Sequence, residues 1–418
     1  MKLKETIQKL PKLEDAQIAF TLVQNCLGLS SVNYFTRTSP VADTKQLCID
    51  FDALMVDALE GILGTPVSQI QKNQLQLPIK IGGLGIKSAV KHSISAYTSS
   101  FNASAQFLSE LFRDYGDEFK NAFNLIFETN KNTIIEQIGN EHEHLHKSKS
   151  QKVISETIDN KNLQTLLSKS TKEAKARLRS CAGPQASYVI KAPLSKNRGF
   201  KLKNPEFCLW LLTRLGSTNI NDPSQKCRCG AIMNDKGTGY HCHICKEGEF
   251  GPVARHNEVR DVLYFYAQKA ILYPRKEVPI TTNTKKTPGD LYFVTGPAGK
   301  PVAYDITVVH PQSVRVLDGA AVKDGYAMEE ASRRKNLKYV DLCQKHNVSF
   351  IPIPFEAFGR FSDSAASLIS WIATGISNRT GSSRSSIIAE IGRKISFCLI
   401  RSYSGAIQSR CSSYLVGV

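Results

Sequence analysis

Cys227, Cys229, Cys242 and Cys245, with His241, His243 and His256, crowd a stretch that carries few large apolar side chains. Thiolates and imidazoles so closely spaced are donors for a tetrahedral Zn²⁺. Cys227, Cys229, His241 and Cys245 make one adequate set, with Cys242, His243 and His256 as rivals for a position. The Cys-x-Cys gap is tighter than the usual two-residue spacing, so spacing alone leaves the set open.

Two carboxylates follow, and their relation is geometric. The runs 291–295 and 302–309 are short and rich in β-branched and aromatic residues, with the turn residues Gly296, Pro297 and Gly299 between them. A hairpin folded about Pro297 and Ala298 sets opposite each other residues whose numbers share one sum, and Asp290 and Asp305 are such a pair. Opposed residues of an antiparallel pair point to one face with Cβ atoms about 5 Å apart. Like charges at that range call for a cation between them, and hard oxygen donors suit Mg²⁺ or Mn²⁺. The bland alternative is one aspartate in a turn and another at a strand edge.

Lys335 and Lys338 lie one turn apart on a segment with helical character, so they share a helix face. Turned inward, an ammonium there positions a water or steadies a phosphate in its transition state; turned outward, it is an ordinary solvated face. Glu258 opens the preceding helical segment, where it serves either as a third acid or as a partner of the helix dipole.

These residues need a scaffold, and 418 residues supply room for two or three domains. A net charge of +17 points to a polyanionic partner, DNA or RNA first and an anionic membrane second. No stretch is apolar for the length of a bilayer crossing, and 1–17 lacks the apolar core of a signal peptide, so an intracellular protein is expected. The 11 cysteines are odd in number and, outside the cluster, scattered through apolar surroundings, which is metal-site and buried-thiol usage rather than a disulfide framework.

Residues 1–115 read as helical, with Ile18, Leu22 and Cys26 and then Phe51, Leu54, Ala58 and Ile62 at helical spacing. Gly82, Gly83 and Gly85 impose a turn that docks one helix on another and do not make a phosphate-cradling fingerprint. The run Glu141, His142, Glu143, His144, His146 reads as a solvated linker before it reads as a metal site. The basic tract from Lys172 to Lys203, interrupted by Tyr188 and Phe200, reads equally as phosphate contact and as charged linker. A strand at 349–355 leads to Glu356, to which no role attaches, and two helices end the chain. The expected fold class is α+β: a helical 1–115, a helical and basic linker 116–220, a zinc knuckle 221–256, an α/β domain 257–360 with a mixed sheet, and helices over 361–418.

The segments CRCGAIMNDKGTGYHCHIC, RHNEVRDVL, KKTPGDLYFVTGPAGKPVAYDITVV, ASRRKNLKYVDL and FIPIPFEAFGRF, in that order, resemble the C-terminal half of non-LTR retrotransposon proteins that carry a restriction-enzyme-like endonuclease. The stretch LPIKIGGLG resembles the thumb region of their reverse transcriptase, whereas 116–175 matches little. The resemblance implies a zinc knuckle ahead of a PD-(D/E)XK nuclease fold, with His241 favoured as the histidine ligand. Asp290 and Asp305 match the metal-binding acids, and Lys335 and Lys338 the displaced lysines. Gly289 departs from the pattern by separating Pro288 from Asp290, and Thr307 stands where simpler nucleases keep lysine.

What the resemblance implies is an Mg²⁺- or Mn²⁺-dependent endonuclease that nicks target DNA so that the freed 3′ end primes reverse transcription, and a nuclear location. A polymerase needs paired aspartates on a hairpin, and no Asp-Asp dipeptide occurs in the sequence, so no polymerase activity is expected and the fingers and palm are missing from the resemblance. The alternative expectation is a zinc-containing nucleic-acid-binding remnant without chemistry. Neither reading includes a small-molecule substrate or a membrane.

Overall fold

A computed structural model describes residues 2–113, 116–217, 226–227, 229–232, 240–280 and 287–410. The fold is α+β and mostly helical, with one small mixed sheet. Among the described residues no helix is long and apolar enough to cross a membrane. The chain divides into two compact units, residues 1–78 with 83–169, and residues 79–82 with 170–418. This division does not follow the segments read from the sequence: 116–169 belongs with the N-terminal helices, and the last two helices belong with the sheet.

The first unit contains helices α1 (Lys2–Lys9), α2 (Ala16–Asn25), α3 (Asn33–Thr38), α4 (Val41–Leu63), α5 (Gln69–Leu75), α6 (Ala89–Leu111), α7 (Gly116–Ile138) and α8 (Gln151–Ser168). Gly64, left-handed at φ 67°, stops α4 as a C-terminal glycine does. Gly83 is required by contact, since a Cβ there would lie 1.9 Å from the Leu77 carbonyl oxygen. That close approach lets Leu84 and Ile86 donate to the Leu75 carbonyl and Gly85 to the Leu77 carbonyl, docking α5 against the start of α6.

The run 141–146, expected as a solvated linker, is so only in part, because Leu145 and His146 are buried. Ile134, Ile138, Leu145, Ile154 and Ile158 form a buried cluster with Ile94 of α6. Glu141 and Glu143 sit outside it as ion-pair partners of Lys161 and Lys131. Periodicity was hard to see here because the apolar residues are few and Glu, His and Lys surround them.

The second unit opens with α9 (Lys172–Ser180) and α10 (Asn204–Arg214), then α11 (Tyr240–Ile244) and α12 (Pro252–Lys269). Next come β1 (Arg275–Lys276), β2 (Leu291–Phe293), β3 (Val302–Val309), α13 (Leu317–Val322), α14 (Tyr326–Lys345), β4 (Ser349–Glu356), α15 (Asp363–Thr380) and α16 (Arg384–Gln408). The sheet order is β1-β2-β3-β4. β1, β2 and β3 pair antiparallel, and β3 pairs parallel with β4 after a crossover through α13 and α14. Pro352 and Pro354 survive in β4 because it is an edge strand whose even-numbered amides face away from β3.

Period-two alternation sorts the sheet's residues onto two faces. Leu291, Phe293, Tyr304, Ile306, Ile353 and Phe355 pack with residues of α12, α15 and α16 in the main core. Tyr292, Ala303 and Phe350 face the other way, with Tyr339 and Cys343 of α14. The β2–β3 register is Leu291↔Tyr304, Tyr292↔Ala303 and Phe293↔Val302, the hairpin expected from the turn.

Much of the basic tract proves to be internal scaffolding of this unit. Arg177 and Arg214 are buried, Arg214 donating to the Cys181 carbonyl at 2.8 Å. Lys172 pairs with Asp318 at 2.7 Å and Arg179 with Asp324 at 2.8 Å. Tyr188 and Phe200 pack inward, Phe200 against Phe397. Lys191, Lys196, Arg198 and Lys203 remain exposed.

Candidate functional site

Two clusters in the second unit gather the side chains singled out in the sequence. In the first, the ligand atoms of Cys227, Cys229, His241 and Cys245 all lie within 4.8 Å of one another. Sγ of Cys227 is 3.6 Å from Sγ of Cys245, which lies 3.9 Å from Sγ of Cys229. Sγ of Cys229 is 3.2 Å from Nε2 of His241. A tetrahedral Zn²⁺ with Zn–S near 2.3 Å has S···S edges of about 3.7 Å, so this S₃N set fits a metal ion such as zinc.

Electrostatics mostly support that role. Burial opposes the Cys245 thiolate, but the Glu247 amide, the neighbouring thiols and Arg410 outweigh it and hold its pKa below the ordinary value. Burial and Arg410 lower His241, which keeps its lone pair free. Cys227 goes the other way, raised chiefly by burial.

The three rival ligands have other surroundings. Cys242 is buried with Leu209, Tyr403 and Ile407. His243 is buried, its ring stacked on Tyr403 and on His310, and burial holds it neutral, as it holds His310 at about 3. His256 lies in the second cluster. Nothing in the residue pattern points to α16 as the platform of this cluster, yet its Tyr403 and Ile407 floor it. Arg255 ties it down, donating to the His243 carbonyl and the Ser402 hydroxyl at 3.2 Å each.

The second cluster lies on the α14 face of the sheet. Asp305 is in mid-strand on β3, and Asp290 sits immediately before β2, one residue past the last paired position Leu291↔Tyr304. The Asp290 amide donates to the Tyr304 carbonyl at 2.8 Å, so the ladder bends at that residue. Gly289 permits the bend, because a Cβ there would lie 2.8 Å from Cβ of Ala303. The glycine that interrupts Pro288 and Asp290 is thus a packing requirement.

Oδ2 of Asp290 accepts from the Ile306 amide at 2.6 Å and lies 3.0 Å from Nε2 of His256, whose pKa it raises. Nζ of Lys335 lies 2.8 and 3.1 Å from the Asp305 oxygens. Burial pushes the Asp305 carboxyl up to about 6, Lys335 pulls against that, and Asp290 adds to it.

Of the two lysines, only Lys335 reaches a carboxylate. Lys338 is exposed, with Nζ 4.7 Å from the centre of the Tyr339 ring. Glu258 is an exposed residue with Arg255 and Arg401 as its charged neighbours, so the structure does not bring it to the acids; His256, one helical step away, is there instead. From sequence His256 presents itself only as a rival zinc ligand, because residue spacing gives no measure of which way a helix turns its first residues. Glu356 is buried, pushed up to about 7 by burial, and lies beside Ser180 and Arg360. It shares the face of Asp305, but the register pairs it with Val309, four residues and about 13 Å along the strand.

The buried Oδ2 of Asp305 makes no well-directed hydrogen bond among the described residues, nor does Oγ1 of Thr307 on the same face. No protein-family model matches the chain, and no curated protein is detectably similar to it.

Proposed function

We propose that the second unit is a divalent-cation-dependent DNA endonuclease with a structural zinc centre. The observation that carries this reading is a buried, high-pKa aspartate in mid-strand, Asp305, with Asp290 near enough to raise it and Lys335 in contact. Asp290 and Asp305 would hold Mg²⁺ or Mn²⁺. Such an ion stabilises charge on a scissile phosphate and lowers the pKa of water. Lys335, in contact with Asp305, would orient a nucleophilic water beside the acids. His256 and the Ile306 amide fix the direction of Asp290. The net charge of +17 suits DNA as substrate. The resemblance to retrotransposon endonucleases adds the biological setting, a target-nicking step ahead of reverse transcription and a nuclear location. Nicking of a supercoiled plasmid in Mg²⁺, lost in Asp305→Ala, is the expected result; equal nicking by that variant removes the site.

A second reading has its own support. Each carboxylate already has an internal counter-charge, His256 for Asp290 and Lys335 for Asp305, as in a site that binds nucleic acid without cutting it. Salt-dependent DNA binding with no cleavage in Mg²⁺ or Mn²⁺ selects this reading.

A further inference from the structure

The segment that runs from α12 through β1 to Glu277 holds its backbone in costly conformations at one edge of the sheet. Ile271, Tyr273 and Glu277 have φ of 56°, 49° and 50°. A left-handed residue other than glycine costs on the order of 1–3 kcal/mol and persists only where its surroundings impose it. Ile271 has a local explanation. Its amide donates to Gln268 and that of Leu272 to Ala267, the paired bonds of a helix C-terminus that usually employs glycine. Tyr273 has none of that kind, and it precedes Pro274, which disfavours helical backbone and pushes a residue toward extended conformations.

The result is a side chain held outward. Leu272 packs against the main core and Pro274 is buried, so the segment is anchored on both sides of Tyr273. Tyr273 itself is 77% exposed, among the most exposed large hydrophobic side chains described in this unit. Arg275 follows, exposed and in no ion pair among the described residues. Its register partner is Tyr292, so Arg275 stands on the face that carries Asp290 and Asp305. The Glu277 amide donates to the Asp290 carbonyl at 3.2 Å, which places the segment directly beside the acid. The acid of the segment, Glu277, is engaged by Arg260 at 2.6 Å.

We infer that 271–276 is a contact element for single-stranded nucleic acid, in which Tyr273 stacks on an unpaired base and Arg275 binds a flanking phosphate. An aromatic face beside a free cation is the combination that binds single strands without regard to sequence. A peptide strand added to the sheet edge fits poorly, because β1 is two residues long and is bounded by Pro274 and left-handed Glu277. The inference deepens the nuclease reading by naming what holds the strand beside the acids, and it rests on that reading only for the chemistry after binding.

The test uses the full chain carrying Asp305→Ala, so that cutting does not disturb the measurement. The probes are a mixed-sequence single-stranded DNA oligonucleotide containing 2-aminopurine and its duplex, with affinity read by anisotropy. Tyr273→Ala should weaken single-strand binding about tenfold with the duplex little changed. Tyr273→Phe should restore both the affinity and the quenching of 2-aminopurine. Arg275→Ala should lower the slope of log affinity against log salt by about one. Unchanged single-strand binding in both alanine variants overturns the inference, as does a Tyr273→Phe loss equal to that of Tyr273→Ala. Concentration-dependent self-association through this edge, with nucleic-acid binding untouched, also overturns it. If the parent chain with Asp305 intact does not nick DNA while these losses hold, the nuclease reading fails and this one stands; nicking without the losses is the reverse.

Discussion

The Cys₃His cluster and the Asp290–Asp305 cluster are held by opposite means. Asp290 and Asp305 are positioned by the sheet, whose other face buries Leu291, Phe293, Tyr304 and Ile306 in the main core. Their geometry needs no ion to exist, and the ion-free protein supplies its own counter-charges in Lys335 and His256. The cysteine cluster has a smaller apolar support, Leu209, Tyr403, Ile407 and Phe358 beneath Cys227, Cys242 and Cys245. Three thiols converge there, and among the described residues Arg410 is the cation that favours the Cys245 thiolate. One centre is therefore expected to survive without its metal and lose chemistry, the other to lose structure.

The largest expected effect tests that contrast. A structural Zn²⁺ contributes on the order of 10 kcal/mol to a small metal-dependent element. Cys229→Ser or His241→Ala should abolish binding of about one zinc per chain and open the segment around Gly251 to protease. α12 begins at Pro252, and Arg255 of that helix is bonded to the His243 carbonyl, so its first turns should fray and cutting should fall with them. Zinc content by mass spectrometry and limited proteolysis check this. Full protease resistance in the metal-free chain would make the thiol cluster an incidental feature of the core.

Next in size is the cost of ionising Asp305. Its pKa is raised from 3.8 to about 6 in the folded chain, so between those values the folded state binds more protons than the unfolded one. Stability contributed by this group is full below pH 4 and falls as pH rises through 6. Asp305→Asn should therefore raise Tm at pH 7.5 in the absence of divalent cation, and the gain should vanish as pH approaches 4. Mg²⁺ should raise the Tm of the parent and not that of the variant. A variant less stable than the parent at pH 7.5 would mean that Lys335 more than offsets the burial.

How far the acidic centre could be read from sequence follows from what fixes each part. The β2–β3 hairpin register, as far as Leu291↔Tyr304, was legible because a hairpin's turn and period-two alternation determine register arithmetically, and both are written in local residue types. His256 was not legible as the partner of Asp290. Its approach depends on how α12 lies across the sheet, which is set by Val259, Leu263 and Tyr266 packing against β-strand residues distant in sequence. The packing of 116–169 onto α6 was not legible for a related reason, its few isoleucines being dispersed among charged residues that satisfy each other. Gly289 looked like a loosened motif because a close backbone approach leaves no mark in composition.

The smallest expected effect separates the two lysines. Sequence made them equivalent, one turn apart on one helix, but the helix rotation does not. Lys335 spans from α14 to both oxygens of Asp305, whereas Lys338 lies over the Tyr339 ring at the surface. Removing Lys335 leaves a buried carboxylate without its counter-charge, so Lys335→Met should raise the Asp305 pKa above about 6 and reduce nicking at neutral pH by more than tenfold. Lys338→Met removes an exposed cation whose charge reaches Asp305 only weakly, and it should leave Tm unchanged and nicking within a few-fold. The pH profile of nicking distinguishes position from charge, because loss of Lys335 moves its acid limb upward and loss of Lys338 does not. A Lys338→Met enzyme that is dead with an unmoved Tm, beside an active Lys335→Met enzyme, would transfer the water-orienting role to Lys338 and reduce Lys335 to a counter-ion.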